Sequence, residues 1–421
     1  MIRKENVMKH TSNRKYESGR AVFRGFRKKE IHSLTDAADR LLCRSAVGLP
    51  FFFAVMALVF FLSFSGPGDL TARLAEQGLL FLGDRLKTAL ETFGVSDRLI
   101  RYLVDGVYTG VASAAAFLPQ TAIFFFLIGF LADCGYLSRA VFVTDRFFRS
   151  FGLSGNAVIP LMVGCGCAIP SLSVLSHEHG ERRSVVRALP FVLCNARLPV
   201  LLYLTDAFFP QSKTAAAIFF WVLSFVLVLL SLLADAAGND ETPDLITELP
   251  PFRLPSPGRL LREAALKSRD YLVRAGTIVF LSCTVFSSLA MLSPTLGAAA
   301  SAKESLLYRL AEALSLIFRP LGFDCAEAAS ALMLGFFAKE NIVYAFRILS
   351  DLDPEAILAP PAAAAFTAFA LFYTPCLSLF WDVARESGTV RALMLLIRTF
   401  AVAYAVSGVL YTLSYIILCV C

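Results

Sequence analysis

The chain alternates long apolar runs with short charged stretches. Residues 46–68, 106–132, 150–176, 214–234, 275–302, 356–381 and 399–421 contain no Asp, Glu, Lys or Arg. Each run exceeds the roughly 20 residues that a helix needs to cross hydrocarbon. Two further apolar segments carry charge inside them: 188–209 holds Arg197 and Asp206, and 328–346 holds Lys339 and Glu340. Between Asp69 and Asp105, leucines recur at helical spacing among charges, which predicts an amphipathic helix at the membrane surface. The pattern predicts an all-α, polytopic membrane protein of about eight transmembrane helices.

Two of these elements are expected to be broken. The stretch "VGCGCAIPSL", Val163 to Leu172, puts two glycines, two thiols and a proline in seven consecutive residues. Glycine and proline both disfavour a continuous helix. Opened backbone at membrane depth is tolerated only when buried in protein or facing a polar cavity, so such a break marks a site. The second is "MLGFFAKENIVYAF", Met333 to Phe346, where Gly335, Lys339 and Glu340 interrupt an apolar segment. Interrupted segments in both halves of a chain point to a transport site at the bilayer midplane. The expected organisation is a basic tail (1–45), a first transmembrane half (46–234), a polar, proline-rich linker (235–274) and a second half (275–421).

Composition sharpens this picture. The 421 residues are 57% hydrophobic and 17% charged, against about a quarter charged in soluble domains. Much of the positive charge lies in the first 45 residues, which by the positive-inside rule sets the N-terminus in the cytoplasm. No apolar segment precedes Ala46, so no cleavable signal peptide is expected. The net charge of +6 thus reports orientation, and no nucleic-acid partner is expected. The ten cysteines lack the spacing of a disulfide scaffold and are read as free thiols.

Candidate chemistry gathers at the breaks. Cys165 and Cys167 are two residues apart and would face nearly opposite ways on a regular helix, so only an opened backbone brings both to one ion. Thiols with freed carbonyls favour transition metals over Mg²⁺ and Ca²⁺. Cys167 and Cys194 are the leading ligands, followed by Cys376 and Cys165, with Gly164, Gly166, Pro170 and Gly335 supplying the backbone breaks. Asp133, Arg197, Lys339, Glu340, His177 and His179 form a candidate polar relay. For Arg197 the expected role is to hold carbonyls or a carboxylate, for Asp133 to anchor a hinge, and for the "SHEH" turn to be solvated. No H-E-x-x-H spacing supports zinc hydrolysis, and no G-x-x-x-x-G-K-[ST] occurs, so the chain is not expected to be an enzyme.

In order along the chain, "LTDAADRLLCRSAVGLPFF", "LADCGYLSRAVFVTDR", "GLSGNAVIPLMVGCGCAIP", "PFVLCNARLPV", "ELPPFRLPS", "GFFAKE" and "FYTPCLSL" resemble the membrane domain of the ferrous iron transport protein B (FeoB) family, with its two gate modules. The family's G-x-G-C-x-x-P falls on Gly164, Gly166, Cys167 and Pro170. Its P-F-x-x-C-x-A-R-L-P falls on Pro190, Phe191, Cys194, Ala196, Arg197, Leu198 and Pro199, and its Y-T-P-C on Tyr373, Thr374, Pro375 and Cys376. The resemblance implies Fe²⁺ import across the bacterial inner membrane along a cysteine-lined path, with Fe²⁺ as cargo and no permanently bound cofactor. The typical family member also carries a GTPase domain, so the missing P-loop leaves two expectations: a separate chain supplies the GTPase, or transport runs on the ion gradient and potential alone. A small FeoA-like protein and a second copy of the chain are further expected partners. The competing readings are a Zn²⁺ or Mn²⁺ transporter, a gate-type nucleoside permease, and a membrane scaffold or metal sensor.

Overall fold

The computed structural model describes residues 39–40, 42–168, 171–172, 179–236, 250–292, 304–337, 339, 341–343, 346, 357–374 and 376–420. Among them the secondary structure is helical, with no strand. Pro170, His177 and Glu340, and the side chain of His179, lie outside the described residues.

Helix α1 (Ser45–Phe60) is apolar on all sides. It buries Phe52, Met56 and Val59, one face at helical spacing, while Phe53, Leu58 and Phe61 stay exposed. A helix apolar all round suits lipid on its outer side. A π-helical turn (Phe61–Ser65) leads past Gly66 into α2 (Pro67–Thr92). This is the amphipathic helix expected from the leucine spacing, but it is not a free surface helix. It runs on from α1 over Ala46–Thr92, and the buried side carries Gly68, Ala72 and Gly83. Helices α3 (Thr109–Ala116) and α4 (Leu118–Asp133) pack against it, and Gly83 leaves room for the Tyr108 ring just before α3.

The apolar run 106–132 is thus two helices, since the chain breaks at Phe117 and restarts with Pro119 in the first turn of α4, the helix position proline suits best. Helix α5 (Tyr136–Arg149) then leaves α4 at 83°. Gly135 takes φ +89 at this corner, where a side chain is disfavoured. The next elements are α6 (Val158–Gly166), α7 (His179–Ala188), α8 (Arg197–Phe208) and α9 (Lys213–Ala236).

The polar stretch after α9 is helical from Pro257, because α10 runs unbroken over Pro257–Met291. Its sequence "RLLREAALKSRDYLVRA" is rich in strong helix formers. Then come α11 (Leu306–Ser315), α12 (Ala326–Phe337), α13 (Pro360–Phe372), α14 (Leu377–Ser387) and α15 (Thr389–Val420).

Among the described residues, three helices are long and apolar enough to cross a membrane: Ala46–Thr92, Lys213–Ala236 and Thr389–Cys419. The bent pair α4 and α5 would make a fourth. Of the other apolar runs, 275–291 forms the second half of the 35-residue α10, and 106–132 is divided among shorter helices. Helix α13 is the centre of the larger core and packs on α8, α12 and α15. Its alanines let backbones approach, while Phe366, Phe369 and Phe372, all fully buried, fill the space between. Lipid provides no hydrophobic drive between helices, so this close packing is the main source of cohesion there.

Candidate functional site: two broken helices meeting at a threonine

The first break lies where the sequence places it. Helix α6 ends at Gly166, and Cys167 is extended (φ −154, ψ 133), its N–H still donating to Val163 O at 2.9 Å. The two glycines are required by close approach. A Cβ on Gly164 would sit 2.7 Å from Leu189 Cδ2, and one on Gly166 2.4 Å from the Phe124 ring. After the break the chain returns alongside α6, because Ser171 Oγ donates to Pro160 O at 2.6 Å.

The second opened segment comes after a 3-10 turn (Leu189–Phe191), with Val192 extended before α8 starts at Arg197. It is joined to the first. Asn195 N–H donates to Gly166 O at 3.3 Å, and Asn195 Nδ2 donates to Gln120 Oε1 at 3.0 Å. Arg197, 4% exposed, turns back to donate to Pro190 O and to Val192 O at 3.2 Å, and reaches across to Thr374 O at 3.0 Å. A planar guanidinium with five donors suits several carbonyls at once. The side chain therefore satisfies carbonyls at breaks in both halves of the molecule.

In the second half, Gly335 lies under Ile342 and Tyr373: a Cβ there would be 2.3 Å from Ile342 Cγ1 and 3.1 Å from the Tyr373 hydroxyl. Tyr373 OH donates to Leu332 O at 2.6 Å, tying the end of α13 to α12. Lys339 Nζ donates to Ala370 O at 3.2 Å and Thr374 Oγ1 at 3.4 Å, and lies 3.6 Å from the Tyr373 ring centre. Cys376 is extended at the start of α14, and its sulfur accepts Leu379 N–H at 3.4 Å.

Hydrogen bonds bring four expected site residues to one region: Arg197 N–H donates to Cys194 O at 2.9 Å, and Arg197 and Lys339 both donate to Thr374, two residues before Cys376. Cys165 Sγ donates to Leu161 O at 3.5 Å, and Cys167 is half-buried beside it. Among the described residues no three of His, Cys, Asp and Glu converge as a ready-made metal centre. Asp133 stands apart, at the α4–α5 corner, where its carbonyl accepts Arg253 Nε at 3.3 Å.

Three features were not anticipated from the sequence. The Gln120–Asn195 amide pair is one. Thr374, where Arg197 and Lys339 both donate, is another. The third is Arg139, 1% exposed, which pairs with both Asp39 oxygens at 2.6 and 3.0 Å and donates to Gly135 O and Pro250 O, each at 2.8 Å. Its guanidinium also stacks 3.8 Å from the Phe252 ring centre. The one available signal was an arginine inside an apolar stretch of α5.

A family model described as "Gate: Nucleoside recognition" matches residues 114–208 and 216–390. Among curated proteins, the Fe(2+) transporter FeoB of Staphylococcus aureus (strain MSSA476) is 29% identical over 394 residues, covering 90% of this chain and 59% of the relative. That of Methanocaldococcus jannaschii is 29% identical over 395 residues, covering 89% and 58%. A Fe(2+) transport protein A/FeoB fusion protein of Porphyromonas gingivalis is 27% identical over 446 residues, covering 92% and 52%. The chain therefore spans only a little over half the length of these relatives. No solved structure matches. With both broken elements inside the matched residues and the similarity running over nine-tenths of its length, the chain belongs to the gate family and is a membrane domain of the FeoB type.

Proposed function

We propose that this domain passes Fe²⁺ through the bacterial cytoplasmic membrane, inward, along a path between its two gate halves, with the N-terminus in the cytoplasm. The observation that carries the reading is the joining of the opened segments that bear the thiols. Cys167 follows the end of the first broken helix, Cys194 lies in the second opened segment and Cys376 at the start of α14, and these segments are joined by Asn195 to Gly166 and by Arg197 to Thr374. A strongly hydrated dication crosses only if ligands replace its water without holding it fast. One or two thiols with nearby carbonyls meet that need, whereas a full set of thiolates would trap the ion. Cys167, at the extended residue after Gly166, is the next ligand along such a path. The relatives' printed names support Fe²⁺ as the cargo, and the fused relative supports a FeoA-like protein as a partner. Fe²⁺ is here a substrate in transit.

The family description and the buried Gln120–Asn195 pair favour one second reading, a nucleoside permease, since amides are suited to reading nucleobases. In this structure the two amides bond to each other. Uptake of radioactive iron into proteoliposomes, with excess Zn²⁺, Mn²⁺ or uridine as competitor, separates the readings. The expected outcome is Fe²⁺ accumulation insensitive to uridine. Uridine uptake without Fe²⁺ uptake would replace the proposal with the second reading.

A further inference from the structure

Lys339 presents a problem that the transport reading leaves open. Its side chain is 3% exposed, and among the described residues no carboxylate lies within ion-pair distance of it. Arg197, a second buried cation, donates to the same residue, Thr374. A buried ammonium with no carboxylate among its described neighbours is costly, because lysine's compact charge is strongly hydrated in water. What holds it here is a carbonyl oxygen of Ala370, the hydroxyl of Thr374 and the face of the Tyr373 ring. An ammonium has three N–H donors, and these three partners account for all of them. Carbonyl, hydroxyl and ring face also make up the ligand set of a site for a free cation.

We propose that Ala370 O, Thr374 Oγ1 and the Tyr373 ring form a cation site between the two gates, that the Lys339 ammonium fills it as a tethered ion, and that a dication arriving between Cys194 and Cys376 displaces it. This rests on the reading of the gate as a metal path. The placement argues for displacement. Thr374 lies two residues before Cys376 and also accepts Arg197 through its carbonyl, so the site borders the thiols. A dication and the ammonium at such close quarters repel each other, and the lysine stem, with four rotatable carbons, is the movable partner. Arg197 is anchored at three carbonyls and stays. Lys339 would then act as a gatekeeper that sets how much metal is needed for entry, without itself being a ligand.

Two arms test this on the full chain. In the first, Lys339→Ala empties the site, and its thermal unfolding in detergent is followed with added ethylammonium chloride or equal sodium chloride. Ethylammonium should restore at least half of the lost melting temperature in the variant and leave the parent unchanged. No recovery beyond that given by sodium chloride would overturn the cation site. Should that variant fail to fold, Lys339→Met keeps the stem and its packing and carries the second arm. In proteoliposomes Lys339→Met should reach half-maximal Fe²⁺ uptake at a concentration at least threefold lower than the parent. An equal or higher concentration would overturn displacement. A parent that takes up no Fe²⁺ would instead count against the transport reading, and the ethylammonium arm would still decide the cation site.

Discussion

At the scale of single residues, the site is held by groups that leave no room for alternatives. Gly166 is the clearest. Its missing Cβ is the space taken by the Phe124 ring, which is itself stacked with Phe60 and Phe64 at 5.8 and 5.7 Å. Gly166→Ala must push that stack aside, and overpacking of this kind costs about 1–3 kcal/mol. Thermal unfolding should show the loss, and Phe124→Leu in the same chain should recover part of it. If Phe124→Leu brings no recovery, the ring is not what excludes a side chain at 166. Arg197 is equally constrained, by three carbonyls contributed from two breaks. The sequence placed it at the gate as a holder of carbonyls, but its partner Thr374 lies 177 residues away and no local pattern announces that contact.

Among the helices, the distinguishing feature is where they stop. The break at Cys167 was legible because glycine and proline crowd the stretch that contains it, although in the structure Gly164 and Gly166 are still helical and what calls for them is the close approach of Leu189 and Phe124. The division of 106–132 at Phe117 was not, since an uncharged run carries no mark of where it opens, and Pro119 reads equally well as an interior kink or a new start. The α4–α5 corner lies between these cases: "DCGYLSR" suggested a hinge, while the 83° bend and the Arg139 clamp to Asp39 and Pro250 depend on contacts about 100 residues apart. Gly135 makes the corner by its left-handed backbone, so Gly135→Ala should cost about 1–2 kcal/mol in unfolding. Gly135→Asn, which tolerates that conformation better, should cost less. Equal losses for the two would mean that the backbone conformation is not the source of the effect.

For the whole molecule, the apolar runs fix the class and the break at Cys167 was visible in the sequence, but the way the halves meet is a tertiary fact. Helix α13 reads as one more apolar stretch, yet it is the buried axis of the second half and delivers Tyr373 and Thr374 to Lys339 and Arg197. The Gln120–Asn195 pair likewise joins residues 75 apart. The cluster of cysteine, glycine and proline stood out in the sequence because they are rare together in a lipid-facing helix, whereas the two amides did not, because each is ordinary alone. The central claim is that iron passes by these thiols. The most direct measurement is the initial rate of radioactive Fe²⁺ uptake into proteoliposomes by the parent and by Cys194→Ser, Cys167→Ser and Cys376→Ser, each at matched protein incorporation. The account predicts a loss of at least tenfold for Cys194→Ser, with smaller losses for the other two. Parental rates in all three variants would contradict it.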